Sequence, residues 1–152
     1  MLRNRLSEAL KVAMKAKDQR ATSTLRLILA SLKDRDIADR SKSGADAEIG
    51  DDDILQLLQS MIKQRHDSID AYQKGGRQDL ADREAEEIII IQEFLPEQIG
   101  DEEMAEAVAG IIDECAADSL KQMGQVMTLL RERFAGQMDF GKASALVKER
   151  LG

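Results

Sequence analysis

Apolar residues return every third or fourth position along most of the chain, the spacing that places them on one face of an α-helix. Residues 2–17 carry Leu2, Leu6, Leu10, Ala13 and Met14 on one stripe, with Arg3, Arg5, Lys11, Lys15 and Lys17 mostly off it. Asp18-Gln19 reads as a break, and a second helix over 20–37 is built on Leu25, Ile28, Leu29 and Leu32. Residues 38–50 are polar and poor in large apolar groups and contain Ser41, Ser43, Gly44 and Asp46, so this segment is the expected loop. Asp51-Asp52-Asp53 opens a third helix, where carboxylates meet the positive end of the helix dipole. Its stripe of Ile54, Leu57, Leu58, Met61, Ile62, Arg65, Ile69 and Tyr72 runs to a stop at Gly75-Gly76.

A fourth helix is expected from Asp79, as its cap, to Leu95, where Pro96 disfavours the helical conformation of the residue before it. It holds four consecutive isoleucines, Ile88 to Ile91. Four consecutive helical positions sweep roughly 300° of the surface. This predicts a helix packed on more than one side, a joint between two helical layers, in which Asp at Ile89 or Ile90 would unfold or misdock the domains. β-Propensity argues for a strand here, but the flanking 84–87 and 92–93 favour helix and offer no strand-like turn. A fifth helix starts at Gly100 with Met104, Val108, Ile111, Ile112 and Cys115 inward. Ser119 and Gln122 have capping-box spacing for a sixth, with Leu120, Met123, Met127, Leu130 and Phe134 as its stripe. Gly124 inside that helix costs about 1 kcal/mol against Ala and points to close approach by another helix. After a turn at 136–139, a last helix over 141–151 buries Leu146, Val147 and Leu151. The chain therefore reads as all-α, an N-terminal helical bundle domain over residues 1–96 followed by a smaller helical domain over 97–152.

Composition adds limits. Of the 152 residues, 43% are hydrophobic and 34% charged, enough for a core and unlike a disordered tail. No apolar run approaches the ~20 residues of a membrane span, and no signal-peptide pattern follows the basic start. The lone Cys115 excludes an internal disulfide, and a reducing cytoplasm is the expected compartment. A net charge of −7 argues against generic nucleic-acid binding, but the charge is segregated. Residues 1–40 carry +5, residues 41–98 carry −8, residues 99–120 carry −7 with no basic residue, and residues 121–152 carry +3.

Catalysis by a nucleophile needs an activating base, and carboxylate catalysis needs separated pKa values. The chain offers one His, one Cys and dispersed acids. His66 reads as a partly exposed helix residue and Cys115 as an inert thiol on an apolar stripe. The three Asp at 51–53 lack the Gly and Glu of a calcium loop, zinc spacing is absent, and Glu84 and Glu87 lack the His of a di-metal bundle site. No Gly-rich loop follows a strand to cradle a phosphate, so neither cofactor nor catalytic site is expected. The basic end is the alternative. Lys121, Arg131, Arg133, Lys142, Lys148 and Arg150 surround the last two helices with few acids, a pattern that can bind RNA by charge and shape.

Several short motifs then combine. Lys63-Gln64-Arg65, Asp67-Ser68-Ile69, Tyr72, Gly75-Gly76-Arg77, Asp79-Leu80-Ala81, Glu84 and Phe94-Leu95-Pro96-Glu97-Gln98 together resemble the signature of the GatB/YqeY family. Thr24-Leu25-Arg26, Ser31-Leu32-Lys33, Met123-Gly124-Gln125-Val126-Met127 and Val147-Lys148-Glu149-Arg150-Leu151 agree in order, so the resemblance covers essentially the whole chain. It departs at Asp139-Phe140-Gly141-Lys142, where Phe stands in an expected Asp-Gly-Lys and could alter the helix start. The resemblance implies a larger N-terminal and a smaller C-terminal helical domain, related to the tail of the B subunit of the glutamine-dependent tRNA amidotransferase. That tail is associated with tRNA contact away from the reacting end. A carbon–nitrogen ligase label with glutamine as amido donor would describe the parent enzyme, whose chemistry lies in other domains. The expected role is a non-catalytic tRNA-binding accessory protein, alone or with an aminoacyl-tRNA synthetase or amidotransferase, with Lys121, Arg131, Arg133, Lys142 and Lys148 on phosphates. A protein-interaction module whose acidic middle docks on a basic partner is the alternative.

Overall fold

The computed structural model describes residues 1–43 and 48–152. Among the described residues, seven α-helices and one short 3-10 turn make up the architecture, with no strand. The chain divides into two compact units, Met1–Leu95 and Pro96–Gly152.

The N-terminal unit contains α1 (Leu2–Lys15), α2 (Gln19–Ser43), α3 (Asp51–Lys74) and α4 (Gln78–Gln92). Leu2, Leu6 and Ala13 of α1, Leu25, Ile28 and Leu32 of α2, and Ile54, Leu57, Leu58 and Met61 of α3 bury one face each. Ile91 and Phe94 close the same core. Burial of each large aliphatic side chain contributes about 1.5–3 kcal/mol. Met14, expected on the α1 stripe, is 50% exposed, because α1 ends one residue later and the chain turns away through Lys17 at φ 57°. Asp18 Oδ1 then accepts from the Ala21 amide at 3.1 Å, an acidic cap at the start of α2.

The loop expected over 38–50 starts too early. Helix α2 continues to Ser43, since 38–43 contains no Gly or Pro to stop it and its residues tolerate helix. Residues 44–47 of that expectation lie outside the described residues. Beyond them, Arg3 ties the first turn of α1 to the second half of α2 and to the segment entering α3: its guanidinium donates to both Asp36 oxygens, at 2.8 and 3.0 Å, and to the Ile49 carbonyl at 3.1 Å. Asp36 is buried and also accepts from the Ile49 amide at 3.1 Å. The Arg3 guanidinium holds the Asp36 carboxyl below the ordinary aspartate range, although burial opposes this.

Helix α3 ends at Gly75, and Gly76 takes the left-handed φ of 72° that a side chain disfavours. Asp79 is not the cap of α4. It sits inside the first turn and accepts two hydrogen bonds from Arg77, both at 3.1 Å, while Arg77 occupies the cap position. The isoleucine run does not pack all round: Ile88 and Ile91 are buried, but Ile89 is 61% exposed. One outward-facing isoleucine is an ordinary surface residue, so the expectation that Asp at Ile89 unfolds the protein does not hold. Helix α4 stops at Gln92, short of the expected Leu95, through tight bonds from the Phe94 amide to the Ile91 carbonyl and from Leu95 to Gln92, both 3.1 Å.

The C-terminal unit packs α5 (Asp101–Glu114), a 3-10 turn (Leu120–Gln122), α6 (Met123–Arg133) and α7 (Phe140–Leu151). Its core is Met104, Val108 and Ile111 against Val126, Met127 and Leu130, closed by Met138, Ala143, Val147 and Leu151. Two expectations fail here. Leu120 is 47% exposed, because it lies in the 3-10 turn before α6 and Val126 takes the inward place. Gly124 is exposed with nothing near a Cβ position, so no helix approaches it closely. Gln122 does cap the entry: its Oε1 accepts from the Asp118 and Ser119 amides at 2.7 and 3.2 Å. Phe140 does not spoil the start of α7. It becomes the first helical residue, half-buried against the core, while Asp139 accepts from the Gly141 and Lys142 amides at 2.8 and 3.4 Å.

Candidate nucleic-acid interface

The five basic side chains expected to meet RNA all lie on the C-terminal unit and all are exposed. Lys121 projects from the 3-10 turn, and Arg131 and Arg133 from the last turn of α6. Lys142 sits in the first turn of α7 and Lys148 in its last, with Arg150 beside it. Cations in a last turn oppose the negative end of the helix dipole, which explains Arg131, Arg133, Lys148 and Arg150 without any ligand. Lys142 receives no such help, since the first turn is the positive end of its helix.

The five are not equivalent. Arg133 donates both terminal nitrogens to the carboxylate of Glu114, at the end of α5. That guanidinium lowers the Glu114 carboxyl below the ordinary glutamate range. Arg133 must exchange a carboxylate for a phosphate to bind RNA, whereas Lys121, Arg131, Lys142 and Lys148 form no ion pair among the described residues. The i,i+19 separation of Glu114 and Arg133 hides this pairing from any local pattern.

The residues weighed for chemistry stay apart. His66 is exposed on α3, and Cys115 caps α5, half-buried against the C-terminal core. The thiol is less enclosed than an inward stripe position implies, because α5 ends before it. No group of three or more His, Cys, Asp or Glu among the described residues could hold a metal ion. No helix among them is long and apolar enough to cross a membrane.

A second basic region was not selected from the pattern. On the N-terminal unit, α2, α3 and α4 border a cleft of about 210 Å³ whose walls include Arg20, Tyr72, Arg83 and Glu84. At its edge Arg65, although on an apolar stripe, is buried: it donates to Glu87 at 2.9 Å and to the Met61 carbonyl at 3.1 Å. The apolar periodicity flagged Arg65. Nothing local flagged the cleft, which needs three helices to form.

Residues 3–151 match the family described as Yqey-like protein. Among relatives, the chain is 30% identical over 145 residues to a protein of Clavispora lusitaniae named "Altered inheritance of mitochondria protein 41, mitochondrial", covering 93% of this chain and 80% of that one. Proteins of the same name from Vanderwaltozyma polyspora and Lachancea thermotolerans are 34% and 37% identical over 90 residues, each covering 59% of this chain and 46% of the relative. The chain thus spans about half the length of some of these relatives. Their names overturn the cytoplasmic expectation. That expectation rested on a single cysteine, which reports reducing surroundings and cannot separate the cytoplasm from the reducing interior of an organelle. The match over nearly every residue, through both helical units, shows that the chain belongs to the YqeY-like family.

Proposed function

We propose that this protein is a non-catalytic accessory that binds tRNA, with the C-terminal unit as its phosphate-contacting surface. One observation carries the reading: in a chain of net charge −7, residues 121–152 are +3, and Lys121, Arg131, Lys142 and Lys148 are exposed and unpaired among the described residues. Such side chains displace counterions from RNA and position it without reading its sequence. The relation of the family to the amidotransferase B-subunit tail supports tRNA as the RNA, and an aminoacyl-tRNA synthetase or amidotransferase as a partner. A salt-titrated binding measurement with a tRNA pool tests it. Replacing the four free cations by Ala should weaken binding and flatten the salt dependence. No binding at low salt, or an unchanged quadruple variant, would overturn the proposal. Glu114→Gln should have the opposite effect, strengthening binding by releasing Arg133.

The second reading, a protein-interaction module, is favoured by residues 99–120, which carry seven acids and no base. Asp101, Glu102 and Glu103 are all exposed in the first turn of α5. Crosslinked pull-downs that recover a basic protein and no RNA would select it.

A further inference from the structure

Two polar stripes at helical spacing face the surface of the N-terminal unit: Gln19, Thr22, Ser23 and Arg26 on α2, and Arg83, Glu84 and Glu87 on α4. They border two clefts that share Ser23. The first, of about 210 Å³, is the one walled by Arg20, Tyr72 and Arg83. The second, of about 470 Å³, runs over Met14 and Lys17 at the α1–α2 turn and reaches Arg26. Together they form a track with cations along it rather than a pocket with cations at one point.

Lys17, Arg26 and Arg83 are exposed and form no ion pair among the described residues, and Arg20 meets Glu86 at 3.4 Å. On the acidic side, Glu87 is held by Arg65, so Glu84 alone is unpaired. Tyr72 is half-buried, and its hydroxyl makes no hydrogen bond among the described residues. Spaced cations suit a chain of phosphates better than a single small anion. An aromatic ring beside a guanidinium suits an unstacked base, which a duplex does not present. A carboxylate repels phosphate but accepts hydrogen bonds from base amino groups, so Glu84 fixes which end of the track takes a base.

The geometry points to a single-stranded RNA segment lying along this groove, with a base against Tyr72 and Glu84 and its phosphates on Arg83, Arg26 and Lys17. This rests on the RNA reading above and adds to it a second site, on the other unit. Cytosine offers Glu84 an amino group, whereas uracil offers only a ring N–H flanked by two carbonyls, so the site prefers cytosine to uracil.

The test measures binding of hexacytidylate, hexauridylate and a tRNA pool to the full chain by fluorescence anisotropy across a salt series. Hexacytidylate should bind more tightly than hexauridylate. The triple variant Lys17→Gln, Arg26→Gln, Arg83→Gln should lose at least tenfold in hexamer affinity. The slope of log affinity against log salt should fall by about 2, since each single-strand phosphate contact contributes about 0.7. Glu84→Gln should narrow the preference for cytosine over uracil, and Ala at Lys121, Arg131, Lys142 and Lys148 should leave that preference intact. If tRNA binds but hexamers do not, or if only the C-terminal variant loses them, the groove is refuted and the tRNA reading survives. Equal binding of both hexamers refutes the placement of the base at Glu84. Hexamers bound without tRNA support the groove and refute the tRNA reading, and no binding of either refutes both.

Discussion

The N-terminal unit withdraws three polar side chains from water, Thr24, Asp36 and Arg65, whereas every buried residue described in the C-terminal unit is apolar or glycine. The two units solve different problems. Helices α2 and α3 run 25 and 24 residues, and a smooth apolar stripe of that length leaves their register weakly specified. Arg3–Asp36 and Arg65–Glu87 are directional contacts between helices, at 2.8 and 2.9 Å, and each fixes one helix against another. Arg5 adds a third brace, its guanidinium 5.5 Å above the Phe94 ring and bonded to the Glu93 carbonyl at 3.3 Å. The helices of the C-terminal unit have 11 to 14 residues, which three or four turns of Met, Val and Leu can register alone. Its one ion pair among the described residues, Arg133–Glu114, is exposed, where such pairs add little stability. Buried charge thus accompanies the long helices.

The largest expected effect separates core from surface inside the N-terminal unit. Ile91→Asp, at a fully buried position, should cost more than about 4 kcal/mol and unfold that unit, while Ile89→Asp should stay within about 0.5 kcal/mol. Urea denaturation of the two variants measures both. Equal destabilisation would mean that Ile89 is buried in solution.

Next comes the Arg3–Asp36 brace. Arg3→Ala leaves a buried carboxylate without its cation and should cost about 2–4 kcal/mol near neutral pH. The Asp36 carboxyl titrates lower in the folded protein than in the unfolded chain. Its stabilising contribution is therefore complete above the unfolded value of about 4 and is lost as pH falls through the lower folded value. Urea midpoints of wild type should fall in that acid range, and the Arg3→Ala difference should shrink there. A difference constant with pH would show that the ion pair contributes no register-fixing stability.

Two smaller effects test the units from the opposite direction. The Thr24 hydroxyl is buried without a hydrogen-bond partner, so Thr24→Val should gain about 1 kcal/mol in the N-terminal unit. A loss would mean that an internal water satisfies the hydroxyl. In the C-terminal unit, Gly110 is an exposed interior position of α5 with nothing near its Cβ direction. Gly110→Ala should add about 0.5–1 kcal/mol, read as a higher melting temperature.

Much of the helical order was legible because it depends on neighbours a turn away. The stripe of α3 picked out Ile54, Leu57, Leu58, Met61 and even Arg65, all buried. Pro96 and Gly75-Gly76 ended α4 and α3 to within a few residues. Helix α2 ran past its expected end because polar residues without Gly or Pro are compatible with either helix or loop. The candidate interface was legible only as composition. The exposed cations could be named from charge segregation, but Arg133 could not be known to be occupied by Glu114.

From the sequence alone come the all-α class, most helix starts and stops, the core faces and the family, since periodicity, capping and breakers are local and motif order survives in the chain. Tertiary structure alone decided that Asp36 is a buried partner of Arg3, thirty-three positions away, and that Ile89 faces outward while Ile91 is enclosed. It also decided that Tyr72 and Arg83 line one cleft and Lys17 and Arg26 a second, with Ser23 in the wall of both. Those outcomes depend on which faces of separate helices meet, and the energy of a buried charge or a shared cleft belongs to the pair, with no trace in either segment.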